Sequence, residues 1–114
     1  MPVSIKNKGG VLYAFIKGDI DHHTAPDIRE TIDDAIISNQ NAKLLVIDFD
    51  GVTFMDSSGV GLVMGRYRLL NSKEKKLKVQ NLSKRDYKIL KMSGIEALAE
   101  ISQKTTEKTE VSYE

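Results

Sequence analysis

Lys43-Leu44-Leu45-Val46-Ile47-Asp48-Phe49 is followed by Asp50-Gly51 and, after Val52-Thr53, by Phe54-Met55-Asp56-Ser57-Ser58-Gly59-Val60-Gly61. The run from Lys43 to Phe49 is almost continuously apolar and of strand length. That suits a strand covered on both faces, as in a parallel sheet. Asp50-Gly51 reads as the end of the strand, and Phe54-Met55-Asp56 as the lead into a helix. In that helix Val60, Val63, Met64, Tyr67 and Leu70 share one face at helical spacing. A strand that feeds a helix in this way is the repeating unit of an α/β sheet, so the rest of the chain can be read for further copies.

Upstream, Val3 and Ile5 alternate with polar residues, Asn7-Lys8-Gly9-Gly10 carries a turn signal, and Val11 to Ile16 supplies β-branched and aromatic residues. This spacing predicts an opening β-hairpin. Gly18 to His23 reads as a loop. Thr24-Ala25-Pro26-Asp27 combines a capping hydroxyl, an early proline and an acid, which predicts a helix start at Thr24. Ile28, Ile32, Ala35 and Ile36 form the apolar stripe of that helix, which ends over Ser38-Asn39-Gln40-Asn41. Downstream, Leu77 to Leu82 alternates like a strand. Ser83-Lys84-Arg85-Asp86 repeats the capping pattern before a helix containing Tyr87, Leu90 and Lys91, and Gly94 stops it. Ala97 to Ile101 reads as a short last strand in preference to a helix.

The resulting order, β-β-α-β-α-β-α-(β), implies right-handed crossovers and a mixed, mostly parallel sheet. Its antiparallel member is the N-terminal hairpin strand, and the helices pack on the sheet. One domain over residues 1–102 and a polar tail over 103–114 are expected. Sites in such sheets form beyond the carboxyl ends of the strands. Two loops fall there, Gly18 to His23 and Gly51 to Asp56.

Composition narrows the function classes. The 114 residues suit one hydrophobic core. With 17 basic and 16 acidic residues there is no basic surplus of the kind that general nucleic-acid or anionic-membrane binding requires. There are no cysteines, which removes disulfides, thiol catalysis and sulfur-ligated zinc. The densest apolar stretch, Leu44 to Ile47, is far shorter than a bilayer span, and the N-terminus shows no apolar signal core. These features point to a cytoplasmic protein.

The chemistry-bearing stretch is Asp56-Ser57-Ser58-Gly59, at a strand-to-helix turn. Free N–H groups and the positive end of the helix dipole lie there. The two serines read either as caps or as acceptors of a phosphate that those donors would tolerate. Gly59, Gly61 and Gly65 each cost a helix about 1 kcal/mol relative to alanine, which signals close approach by the sheet beneath or a partner above. A nucleophile elbow would need glycine where Met55 stands, and no histidine follows Ser57 to act as base. No Gly-Lys-Ser/Thr completes a phosphate-binding loop. His22-His23 beside Asp19 and Asp21 lacks metal-ligand spacing and reads as a solvated or interface loop. The run Lys73-Glu74-Lys75-Lys76 reads as a solvated connection that is also able to orient an acidic partner. No enzyme class, cofactor or metal is indicated.

Asp19-Ile20-Asp21-His22-His23-Thr24-Ala25, Phe54 to Gly61, Gly65-Arg66-Tyr67 and Met92-Ser93-Gly94, in this order and spacing, resemble the anti-sigma factor antagonists, the stand-alone members of the STAS domain family. The likeness extends to about Ile101 and is strongest to the sporulation sigma-F type. It implies the STAS fold and a partner-switching cycle. The unphosphorylated antagonist binds an anti-sigma factor that is also a GHKL-type serine kinase, which frees the sigma factor. Phosphorylation at Ser57 switches the antagonist off, and a PP2C-like phosphatase restores it. The resemblance implies a partner-binding surface of Asp21, His22, His23, Thr24, Asp56, Ser57, Ser58, Gly59 and Gly61, with no cofactor, no direct nucleic-acid contact and no membrane. A general-stress antagonist, or a STAS module that senses a small ligand or lipid, is the alternative.

Overall fold

The computed structural model describes residues 2–105 and forms one five-stranded sheet in the order β1-β2-β3-β4-β5. The strands are β1 (Val3–Lys8), β2 (Val11–Ile20), β3 (Leu44–Met55), β4 (Lys76–Leu82) and β5 (Glu100–Gln103). The helices are α1 (Ala25–Ser38), α2 (Ser57–Ser72) and α3 (Lys84–Met92). β1 pairs antiparallel with β2, and every later pairing is parallel. The mixed, mostly parallel α/β sheet expected from the element order is therefore present. The β1–β2 turn is tighter than the four-residue signal suggested. Gly9 and Gly10 alone form it, at φ 61° and 84°, the doubly positive geometry that suits two-residue hairpins.

Period-two alternation sends Leu12, Ala14 and Ile16 of β2, Leu45, Ile47 and Phe49 of β3, and Leu77 and Val79 of β4 into one buried cluster. Ile28, Ile32, Ala35 and Ile36 of α1, Leu62, Val63 and Leu70 of α2, and Leu90 of α3 join the same cluster. Each fully buried isoleucine or leucine contributes about 1.5–3 kcal/mol. Val46 and Asp48 lie on the other sheet face, outside that cluster, yet are also buried. Side chains of neighbouring strands cover them. Val46 sits in register between Tyr13 and Lys78, and Gln80 Nε2 and Asn81 Nδ2 both donate to Asp48 Oδ2 at 2.9 Å. The continuous burial of β3 thus combines a helix layer on one side with cross-strand side chains on the other.

Several boundaries differ from the sequence reading. Asp50-Gly51 does not end β3, which runs on to Met55. Gly51 marks a place where two backbones come close. A Cβ there would stand 3.0 Å from the Ile16 carbonyl oxygen, beside the register shift at Phe15/Lys17. β2 likewise continues through Gly18 to Ile20, because the extended β3 supplies the partner. Of the segment read as a strand, Ala97 to Ile101, the first residue ends a 3₁₀ turn, Ile95–Ala97, and β5 begins only at Glu100. β5 includes Gln103, where the tail was placed, and the rest of that tail from residue 106 lies outside the described residues. In α2 the buried face is Gly59, Leu62, Val63, Arg66 and Leu70, with Val60, Met64 and Tyr67 flanking it half-buried. Arg66 turns the stripe because it is held inside by Asp33 of α1. No helix of the described residues is long and apolar enough to cross a membrane.

Candidate functional site

β2 and β3 end side by side, with Ile20 in register with Met55, so the segments that leave them emerge together. The junction is cross-tied. Asp56 N–H donates to the Ile20 carbonyl at 3.0 Å, and Thr53 Oγ1 donates to Asp19 Oδ1 at 2.7 Å. The loop at Asp21 to Thr24 and the start of α2 therefore form one surface beyond the carboxyl ends of two adjacent strands.

Asp56 is the N-cap of α2. Its backbone is extended, and its carboxylate accepts from the Ser58 N–H at 2.7 Å. Ser58 joins the cap through this backbone N–H. Ser57, the first helical residue, is exposed. It stands at the positive end of the α2 dipole, which favours an anion. The three glycines separate into two kinds. Gly59 is buried, and a Cβ there would collide with the Met55 side chain, so its reason is the sheet beneath. Gly61 and Gly65 have open space where a Cβ would go, and Gly61 is exposed one turn beyond Ser57.

The approach to α1 corrects the capping assignment. Thr24 makes no side-chain cap. Its hydroxyl instead donates to the Asp19 carbonyl at 2.9 Å and accepts from the Asp21 N–H at 3.0 Å. Asp21 does the capping. Its Oδ1 accepts from the His23 N–H at 2.8 Å and the Thr24 N–H at 3.0 Å, while its carbonyl accepts from the Ala25 N–H at 2.9 Å. Pro26 has no N–H to give to the His22 carbonyl, so this first turn stands apart from the regular ladder. The Thr24 and His23 backbone donors hold the Asp21 carboxyl below the ordinary carboxylate range. His22 and His23 are both exposed, with ring centroids 4.0 Å apart, and His23 Nδ1 lies 3.9 Å from Asp21 Oδ1. Among the described residues no three His, Asp or Glu side chains converge as a metal site would require.

The structure thus brings the Asp21–Thr24 loop and the Asp56–Gly61 segment together, with Gly59 beneath the surface. It also adds residues that sequence reading missed. Arg85, in the first turn of α3, donates through Nη1 to the Met55 carbonyl at 3.0 Å, and its guanidinium lies 5.6 Å from the centre of the Phe54 ring. Phe54 is 46% exposed. An aromatic ring and a guanidinium therefore flank the residues just before Asp56. Only the sheet order brings Arg85 there, and no local pattern in the sequence marks it.

A protein-family model described as the STAS domain matches residues 2–110. The anti-sigma F factor antagonist of Paenibacillus polymyxa is 34% identical over 95 residues, which is 83% of this chain and 80% of that protein. The anti-sigma-B factor antagonist of Bacillus subtilis is 30% identical over 103 residues, 90% of this chain and 92% of that protein. Among solved structures, the unphosphorylated anti-sigma factor antagonist SpoIIAA superposes with a TM-score of 0.69 at 26% identity, covering 96% of this chain and 94% of its own. The Bacillus cell fate determinant SpoIIAA in its phosphorylated form gives 0.69 at 27% identity, covering 96% and 98%. With the family match spanning nearly its whole length and these relatives aligned along most of theirs, the chain belongs to the STAS domain family, among the anti-sigma factor antagonists, which are regulators and not enzymes.

Proposed function

We propose that this antagonist works in the cytoplasm as a phosphorylation-switched docking partner, with Ser57 as the switch. Unphosphorylated, it binds an anti-sigma factor that is also a GHKL-type serine kinase, through Asp21 to Thr24 and Asp56 to Gly61, and so releases the sigma factor. Phosphorylation at Ser57 ends the docking, and a PP2C-like phosphatase restores it. The observation that carries this reading is the exposed Ser57 hydroxyl at the first turn of α2, beside the capped carboxylate of Asp56 and cross-tied to the Asp21 loop. That a related antagonist has been solved in unphosphorylated and phosphorylated forms supports it.

The physics of such a switch is local. A phosphate adds about −1.5 to −2 charges. Next to Asp56 it concentrates negative charge on a surface that must fit a partner. Within the antagonist, the helix N-terminus offsets that charge. Phosphorylation then breaks the complex by charge and bulk and leaves the fold intact, so circular dichroism of the two forms should coincide. Extensive loss of helix on phosphorylation would contradict this account.

The deciding experiment incubates the full chain and its Ser57→Ala variant with ATP and either a purified anti-sigma F factor or a purified anti-sigma-B factor, followed by peptide mass spectrometry. One phosphate on Ser57 and none on Ser57→Ala is expected, with Ser57→Ala retained in the kinase complex. The 30% identity to a named anti-sigma-B factor antagonist is the reason for including the second kinase. Failure of both kinases to modify this chain, while each modifies its own antagonist, would remove the proposal.

A further inference from the structure

The end of the sheet opposite Ser57 carries a second surface. β3 and β4 begin there, directly after Lys43 and Lys75, and α1 and α2 end there, at Ser38 and Ser72. Between these ends runs a groove of about 260 Å³, lined by Ile36, Ile37, Gln40, Lys43, Lys73 and Lys75. Three ammonium groups line it, and no carboxylate does. Lys43 and Lys73 are exposed, and Lys75 is half-buried, with Nζ donating to the Asn39 carbonyl at 3.3 Å. That carbonyl closes the C-terminal end of α1, where backbone dipoles favour a cation.

The three lysines are not neutralised from within. Among the described residues none of them forms an ion pair with a carboxylate. Burial first, and then the charges of Lys43 and Lys73, hold the Lys75 ammonium below its ordinary range. The groove therefore keeps like charges together that an incoming anion would relieve. It also has an apolar wall. Ile36 is buried at its base, while Ile37 is 53% exposed beside the lysines and supplies apolar surface next to the charged rim. An inorganic anion would use the lysines and leave Ile37 in water. A peptide with carboxylates flanking an apolar side chain would use both, and the Gln40 amide offers a donor and an acceptor to its backbone.

We infer that this groove docks an acidic segment of a partner protein, with an apolar side chain against Ile37 and carboxylates on Lys43 and Lys73. The surface is separate from the Ser57 site, so the antagonist can hold one partner at each end of its sheet. The charge-only part of this contact is screened by salt, so its affinity falls as ionic strength rises.

The test titrates the full chain with a blocked peptide of alternating glutamate and leucine and follows amide ¹⁵N shifts. Saturable shifts confined to Ile37, Gln40, Lys43 and Lys73 to Lys75 are expected. In the Lys43→Gln/Lys73→Gln double variant affinity should fall about tenfold, as expected for the loss of two rim charges. Ile37→Ser should weaken it several-fold. Circular dichroism confirms that these exposed substitutions leave the fold in place, and phosphorylation at Ser57 should proceed unchanged in both. The inference is overturned if no saturable shift appears at the groove, or if the glutamine-for-glutamate peptide binds equally well. It is also overturned if inorganic phosphate binds as tightly and Ile37→Ser has no effect, since the groove would then be a bare anion site.

Discussion

The backbone N–H of Asp56 donates to the carbonyl of Ile20 at 3.0 Å, so the residue that caps α2 is also bonded to the last residue of β2. Together with the Thr53 to Asp19 bond and the β2–β3 register, this bond gives the two segments of the candidate site a fixed frame. A partner that reads both meets them at a constant separation, and a phosphate added at Ser57 lands on a rigid turn.

Asp56→Ala removes the acceptor for the Ser58 N–H and leaves the first turn of α2 uncapped. Loss of an aspartate cap costs about 1 kcal/mol, and asparagine is nearly as good a cap. Urea unfolding should therefore show Asp56→Ala less stable by about 1 kcal/mol and Asp56→Asn close to the parent. If the two variants unfold together, the carboxylate is not acting as a cap.

The glycines of α2 should respond in opposite directions. Gly59→Ala drives a Cβ into the Met55 side chain and should destabilise by about 1–3 kcal/mol, the usual cost of overpacking. Gly61→Ala and Gly65→Ala meet open space and should stabilise the helix by about 0.4–1 kcal/mol. On the proposed docking, Gly61→Ala should nevertheless weaken binding to an anti-sigma factor, because Gly61 is exposed one turn from Ser57. A variant that is more stable yet binds worse separates the two roles cleanly. Unchanged binding would take Gly61 out of the interface.

The contrast between these glycines shows where sequence reading reached and where it stopped. The alternation of strands and helices was legible because apolar periodicity reports which side of an element faces the core, and that follows from the chain alone. Gly94 was legible as the stop of α3, and its φ of 90° requires glycine. Whether Gly59, Gly61 or Gly65 touched the sheet was not legible, because helical phase against Met55 is set by tertiary packing. Thr24 does occupy the N-cap position of α1, as its place before Pro26 suggests, but its hydroxyl is not the capping group, because Asp21, three residues earlier, holds the N–H groups. Asp50-Gly51 looked like a strand end because an internal glycine and a turn glycine are identical in sequence. Arg85 has no local signal at all, since its contact with Met55 depends on sheet order.

Asp21 should impose a pH dependence on the candidate site. Its carboxylate form accepts the His23 and Thr24 N–H bonds, which lowers its folded pKa below the unfolded value. The contribution is therefore fully present above the unfolded pKa, near 4 for an aspartate, and is lost as pH falls through the lowered folded value. Amide shifts of His23 and Thr24 should titrate with a midpoint below that of an ordinary aspartate. In Asp21→Asn, which keeps an acceptor oxygen but cannot ionise, the same shifts should stay flat through this range. A midpoint at or above the ordinary value would mean that these hydrogen bonds do not favour the charged form.

Asp33 and Arg66 lock α1 to α2, and the lock depends on charge. Arg66 Nε lies 2.7 Å from Asp33 Oδ1 and its Nη2 donates to Oδ2 at 3.3 Å, while Nη1 donates to the Leu62 carbonyl at 3.2 Å. Arg66 is only 6% exposed, and burial pulls its pKa down against the attraction of Asp33, which acts to raise it. Asp33→Ala would strand a buried guanidinium with one backbone acceptor. Breaking a fully buried pair costs about 3–5 kcal/mol, and because Asp33 is partly open to water the cost here should be nearer 2 kcal/mol. Asp33→Asn keeps an acceptor in place and should lose about half as much, the share of a neutral hydrogen bond relative to a charged one. Replacing both residues by apolar ones, Asp33→Leu with Arg66→Met, should recover most of the stability lost in Asp33→Ala, because no charge is then left buried. Urea midpoints of the three variants decide this. If Asp33→Asn unfolds at the parent's midpoint, the pair holds the helices by shape and neutral hydrogen bonds alone and its charge is incidental.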